Sequence, residues 1–155
     1  MQINLNGLRL VDNSDQVREA SEEQILRGLK AIGLQCVSHA KLELENAPRR
    51  IDTGLLRNSL TYAPSGENTA ISSYHGDNPS QHSNAQIIPS GSYSDKAPDD
   101  TKLHKAVYVG TNVEYAEYVH EGTRSMLPNR FITNAVQGHQ VEFKDIMRDA
   151  LEGNL

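Results

Sequence analysis

The stretch SEEQILRGLKAIGLQCVSHAKLELEN, residues 21–46, decides the fold. Ile25, Leu29, Ile32, Cys36 and Ala40 recur at intervals of three and four, and Leu26, Val37 and Leu44 widen the stripe. That spacing predicts an amphipathic helix with one side turned to a core. Ser21 followed by Gln24 reads as a capping box with Ala20 and Ile25 as a staple, and Ser14 offers an earlier start. At 1.5 Å per residue the segment would run about 39 Å. Pro48 ends it by driving Ala47 out of the helical region. Gly28 and Gly33 each cost about 1 kcal/mol relative to alanine inside a helix, so a second backbone is expected to pack close to them.

On the N-terminal side, Ile3 and Leu5 alternate with Gln2, Asn4 and Asn6 in the period of a half-buried strand that Gly7 ends. On the C-terminal side, Asp52 or Thr53 is placed to cap a helical turn through Leu55, Leu56 and Asn58, after which SLTYA reads as extended. The pattern then lapses. Four of the six prolines fall between Pro64 and Asp100, where Ile71, Ile87 and Ile88 are the expected apolar anchors. NTAISSY reads as a strand and most of the remainder of 64–101 as a flexible insertion within a single domain spanning 1–155. Regular structure resumes at KAVYVGT, a strand with Val107 and Val109 on one face. A short helix at VEYAEYVHEG follows, with Tyr115, Tyr118 and Val119 on its apolar side and Gly122 at its C-cap. The last helix starts near Pro128 or Asn129, runs through Phe131, Ala135, Phe143, Met147 and Leu151, and bends at Gly138. This order predicts an α+β fold in which a long N-terminal helix, a short helix and a C-terminal helix pack on one small, mainly antiparallel sheet.

Composition removes several functional classes. With 15 basic and 20 acidic residues the net charge is -5, which repels phosphate at long range and argues against a dedicated nucleic-acid binder. Cys36 is the single cysteine, so neither a disulfide framework nor a cysteine metal site can form within one chain, and its place on an apolar helix face favours a packing role. No apolar run reaches the roughly 20 residues of a membrane helix, and MQINLNGLRL lacks the continuous apolar core of a signal peptide.

Catalytic signals are sparse. YVHEGT is not a zinc-protease helix, because Arg124 stands where the second histidine belongs, and neither a G-x-S-x-G elbow nor a P-loop occurs. The chain is therefore read as a non-enzyme with no catalytic, metal or cofactor-binding residues and no cofactor. The competing enzymatic reading is a small metal-dependent hydrolase built from His104, His120, Glu121 and Asp99 or Asp100. A third is a monomeric adaptor whose disordered loop recruits a partner.

TGLLRNSL (53–60), VYVGT (107–111), YAEYVHEGT (115–123) and LPNRFITNA (127–135), after an early Gly7-Leu8 and a helix ending in Ala47-Pro48, occur in an order and spacing that resemble a known family. It is that of the phage tail-completion and head-tail joining proteins, the tail components or terminator-like morphogenesis proteins of long-tailed bacteriophages. His120 departs from the family pattern by standing where an apolar or aromatic residue is expected, as do Asn129 and Arg130 by separating Pro128 from Phe131. The resemblance implies a structural virion protein of the tail or neck, assembled in the host cytoplasm. It would form a homo-oligomeric ring, expected to be a hexamer, that contacts the tail tube protein and the head connector or stopper protein. DNA would pass through it without specific binding, no membrane would be involved, and a neutral or acidic lumen would let phosphate slide. The candidate interface residues are Arg49, Arg50, Arg57, Tyr115, Tyr118, Glu121, Thr123 and Phe131, with Arg57 expected to pair with Glu121 within or across subunits. The plainer reading makes the arginines helix-end charge and the tyrosines packing residues.

Overall fold

The computed structural model describes residues 2–5, 8–11, 14–46, 51–82, 84, 86–99 and 105–155. Strand β1 (Gln2–Leu5), at the position the alternation predicts, pairs antiparallel with β2 (Leu8–Val11), which places Ile3 opposite Leu10. Helix α1 (Ser14–Glu45) then runs 32 residues without a break, about 48 Å. The earlier of the two candidate starts is the real one. Ser21 lies inside the helix, where its hydroxyl donates to the Val17 carbonyl at 2.8 Å instead of capping.

The predicted stripe is the buried side of α1: Leu29, Cys36, Val37, Ala40 and Leu44 are all in the core. Both glycines of the helix sit at close approaches, but side chains press there where a second backbone was expected. A β-carbon at Gly28 would lie 2.9 Å from Met147 Sδ, and one at Gly33 would lie 2.5 Å from the Tyr62 ring and 2.8 Å from Val107. The helical cost of glycine is offset because the notches admit a thioether on one flank and an aromatic ring on the other.

Helix α2 (Leu55–Ser59) leads into β3 (Thr61–Pro64). Within the segment expected to be an insertion lie β4 (Ser73–His75) and β5 (Ser90–Ser92), paired antiparallel with Tyr74 opposite Gly91, and Asn68 bridges Lys96. Only the end of NTAISSY is a strand. Ile87 and Ile88 are exposed, and the anchors are aromatic and polar instead. The Tyr74 and Tyr93 rings meet at 5.4 Å, the Tyr93 hydroxyl donates to the Ser59 carbonyl, and Asn112 donates to the Ser92 carbonyl at 2.8 Å. Strand β6 (Val107–Gly110) returns antiparallel to β3 with Tyr62 opposite Val109.

Helices α3 (Ala116–Glu121), α4 (Phe131–Gly138) and α5 (Gln140–Leu151) complete the chain. The expected C-terminal helix is thus two helices, because His139, at φ -121° and ψ 21°, leaves helical geometry directly after Gly138. The α+β architecture holds, with the strands divided into three two-stranded antiparallel ribbons in place of one sheet. α1 packs against α4 and α5 and against the β3–β6 ribbon. The core gathers Cys36, Val37, Ala40 and Leu44 of α1 with Leu56, Leu60, Val113, Ala116, Val119, Phe131 and Ala135. Among the described residues no helix is long and apolar enough to cross a membrane.

Candidate functional site

The segment from Asp52 to Leu60 has the densest polar bonding of any the sequence singled out. Gly54 takes φ 78° before α2, and a β-carbon there would lie 2.1 Å from Asp77 Oδ2. Only glycine meets both demands. The Thr53 carbonyl accepts from the Asp77 amide at 2.6 Å and from the Asn78 amide at 3.3 Å, while Thr53 Oγ1 accepts the Leu55 amide at 3.2 Å. Thr53 is therefore the residue that tends the start of α2. Asp52 serves the neighbouring loop, accepting from the Ser80 hydroxyl at 2.7 Å and the Gln81 amide at 3.3 Å. The Ser80 bond, then the Gln81 amide, hold its carboxyl below the usual range.

Arg57 spans two carboxylates, Glu45 at the end of α1 at 2.7 Å and Asp77 after β4 at 2.6 Å. Asn58 Nδ2 donates to Asp77 Oδ1 and to the His75 carbonyl, both at 2.9 Å. Ser59 is fully buried, donating to the Leu56 carbonyl at 2.8 Å and meeting Thr111 Oγ1 at 2.6 Å. Each polar residue of TGLLRNS is thus spent on joining α2 to α1, to the β4 loop and to the end of β6. A cavity of about 300 Å³ lies beside this knot, with Thr53, Gly54, Arg57 and Tyr115 in its wall. Burial raises the Tyr115 hydroxyl above the ordinary phenol range, and hydrogen bonding to the Leu56 backbone and Thr53 offsets part of that rise.

The expected pair of Arg57 with Glu121 is not formed within the chain. Glu121 accepts instead from His120 Nδ1 at 2.8 Å and pairs with Arg130 at 3.6 Å, while Arg57 is turned to Glu45 and Asp77. The buried side of α3 matches the predicted one at Val119 but not at the two tyrosines. Val113, Ala116 and Val119 face the core, whereas Tyr115 is 43% and Tyr118 61% exposed. Small side chains win that side because α3 lies close against the core; the Tyr118 ring is left outside, and Tyr115 is half exposed with its hydroxyl turned in towards Thr53 and Leu56. Phe131 is 1% exposed and cannot meet a partner, so it belongs to the core and not to an interface. His120, the departure from the family pattern, has its ring edge on Phe131 at 5.3 Å and its Nε2 within 3.1 Å of Thr133 Oγ1. A polar-tipped ring thereby fills a position expected to be apolar or aromatic.

Thr123 lies in the exposed turn that follows, where its amide donates to the Met126 carbonyl at 2.8 Å and the Met126 amide returns the bond at 3.2 Å. Gly122 enters this turn at φ 79° and ψ 178°, and a β-carbon there would sit 2.7 Å from the Met126 carbonyl oxygen. Arg49, Arg50, Asp100 and His104 lie outside the described residues. Of the residues named for the hydrolase reading, His120 and Glu121 touch each other. Among the described residues, three metal-ligating groups converge elsewhere, at His39, His139 and Glu142, and only the local spacing of the last two is visible in the sequence. Cys36 is buried on α1, and burial raises its thiol above the ordinary range, which keeps it protonated and unreactive. The chain matches no protein-family model, no curated protein and no solved structure.

Proposed function

We propose that this chain is a structural virion protein of a long-tailed phage that forms a ring, a hexamer, at the head-proximal end of the tail. There it terminates the tube, joins it to the head connector, or does both. The observation that carries the reading is the fate of the four segments on which the resemblance rests. They become α2, β6, α3 and the start of α4, they share one core, and their polar side chains bond to one another. Among the charged groups they turn outward, such as Glu121 and Arg130, stand two large apolar side chains, Tyr118 and, in the following turn, Leu127. A rigid, internally hydrogen-bonded unit that presents an exposed ring and an aliphatic chain within a charged surround is suited to packing against other subunits.

A ring follows when a heterologous contact closes, so one face of the unit mates with a different face of the next copy. The net charge of -5 fits a channel through which DNA passes without being held. Electron microscopy of particles made with and without this chain tests the proposal. Overlong tails, or finished tails that fail to meet heads, are expected in its absence. Normal infectious particles would overturn it.

A further inference from the structure

We infer that His39, His139 and Glu142 bind a divalent transition-metal ion, with zinc the best fit, that clasps α1 to the α4–α5 junction. Such a site is independent of ring formation. One ring nitrogen from each histidine and a carboxylate oxygen lie within 4.8 Å of one another, although they come from elements about a hundred residues apart in sequence. His39 Nε2 is 2.8 Å and His139 Nδ1 3.3 Å from the same oxygen, Glu142 Oε2. Zinc bonds of about 2.0–2.2 Å to nitrogen and oxygen give a tetrahedron with donor-to-donor edges of roughly 3.3–3.6 Å, so the donors stand within about 1 Å of the required separations.

The surroundings have the other parts of such a site. Gln35, one turn before His39 on α1, donates to the second carboxylate oxygen at 3.1 Å and fixes the direction of the Glu142 group. The three side chains are 19%, 35% and 36% exposed, which leaves an entry path and a fourth position for water. Two imidazoles among three donors favour zinc, cobalt or nickel over magnesium or calcium, which prefer all-oxygen shells. The rings now stack at 3.4 Å and 7°. A metal binds in the plane of each imidazole, and two parallel planes this far apart cannot both contain one ion, so loading requires at least one ring to swing about its Cβ–Cγ bond, a soft torsion. Entry of the ion also displaces a proton from any ring nitrogen that is donating to Glu142.

The test uses the full chain stripped with a chelator. Calorimetric titration with zinc chloride is expected to give one ion per chain, and cobalt(II) the visible absorption bands of a four-coordinate site. Zinc should raise the midpoint of thermal unfolding. His139→Ala and Glu142→Gln should each weaken zinc by more than about 100-fold and abolish the thermal shift, since even outer partners are worth about 10–100-fold. Gln35→Ala should cost about 10-fold or more. Glu142→Gln keeps the size of the side chain and decides the matter if the histidine variant does not fold. No uptake by the wild-type chain, or unchanged affinity in Glu142→Gln, would overturn the inference.

Discussion

The two halves of this molecule are held by different physics. Where α1 meets α4 and α5, the centre of the contact is small residue against small residue, with Ala40, Ala135 and Ala150 almost wholly buried and Gly28 receiving the Met147 thioether, and the bonds of Gln35 and His39 to Glu142 lie at its half-exposed edge. In the unit built from α2, β3, β6, α3 and the turn before α4, the packing is threaded with hydrogen bonds. Among the described residues every buried polar side chain, Thr53, Ser59, Thr61 and Asn129, belongs to this second region. Apolar contacts between helices supply most of the free energy and tolerate small shifts. A network of directional bonds adds less net stability but admits one geometry. A protein that must present the same face in every copy gains from having its outward unit built the second way.

The contrast between the halves can be broken at several points. Gly122→Val should have the largest effect, because its positive φ and the Met126 and Pro128 backbone atoms within 2.8 Å leave a side chain no escape. No folded chain is expected by circular dichroism. Phe131→Ala removes the ring that closes the core between α1 and α3 and should cost about 3–5 kcal/mol in denaturant unfolding. Arg57→Ala should cost about 1–3 kcal/mol, since Glu45 and Asp77 lose a shared cation. Its effect should be non-additive with Asp77→Ala by about 0.5 kcal/mol or more, whereas Arg57→Ala and Met147→Ala, in different halves, should add.

Acid should act on both halves at once. Asp52 and Glu142 have carboxyls held below their usual range, the first mainly by the Ser80 bond and the second mainly by His39. A lowered folded-state pKa stabilises fully above the unfolded value, about 4, and that contribution is lost as pH falls through the folded one. Thermal midpoints should therefore drop from pH 5 towards pH 3, and less steeply in Asp52→Asn and Glu142→Gln.

The first region was largely legible in the sequence and the second was not. The three-and-four spacing of α1 marks its buried side directly, and glycines at 28 and 33 announce close approach. The bend expected at Gly138 is a full break at His139, an extent that the apolar period conceals by continuing across it. On α3 the same logic finds Val119 but misleads on its neighbours, since it groups Tyr115 and Tyr118 with it when a helix lying close to the core buries Ala116 instead. The hairpin of β4 and β5 is held by Tyr74, Tyr93 and Asn112, whose partners lie tens of residues away and leave no periodic trace. His39 meets Glu142 for the same reason unannounced. The resemblance picked out the polar knot as a set of motifs, yet their spacing alone does not say that Arg57 bonds to Asp77 and not to Glu121.

Tyr118 isolates the central claim, because it is 61% exposed and its loss should change folding stability by no more than about 0.5 kcal/mol. Particles carrying Tyr118→Asp, imaged by electron microscopy, should contain a normally folded chain but show tails that are unterminated or unjoined to heads. Tails of normal length, joined to heads at the wild-type frequency, would contradict the account.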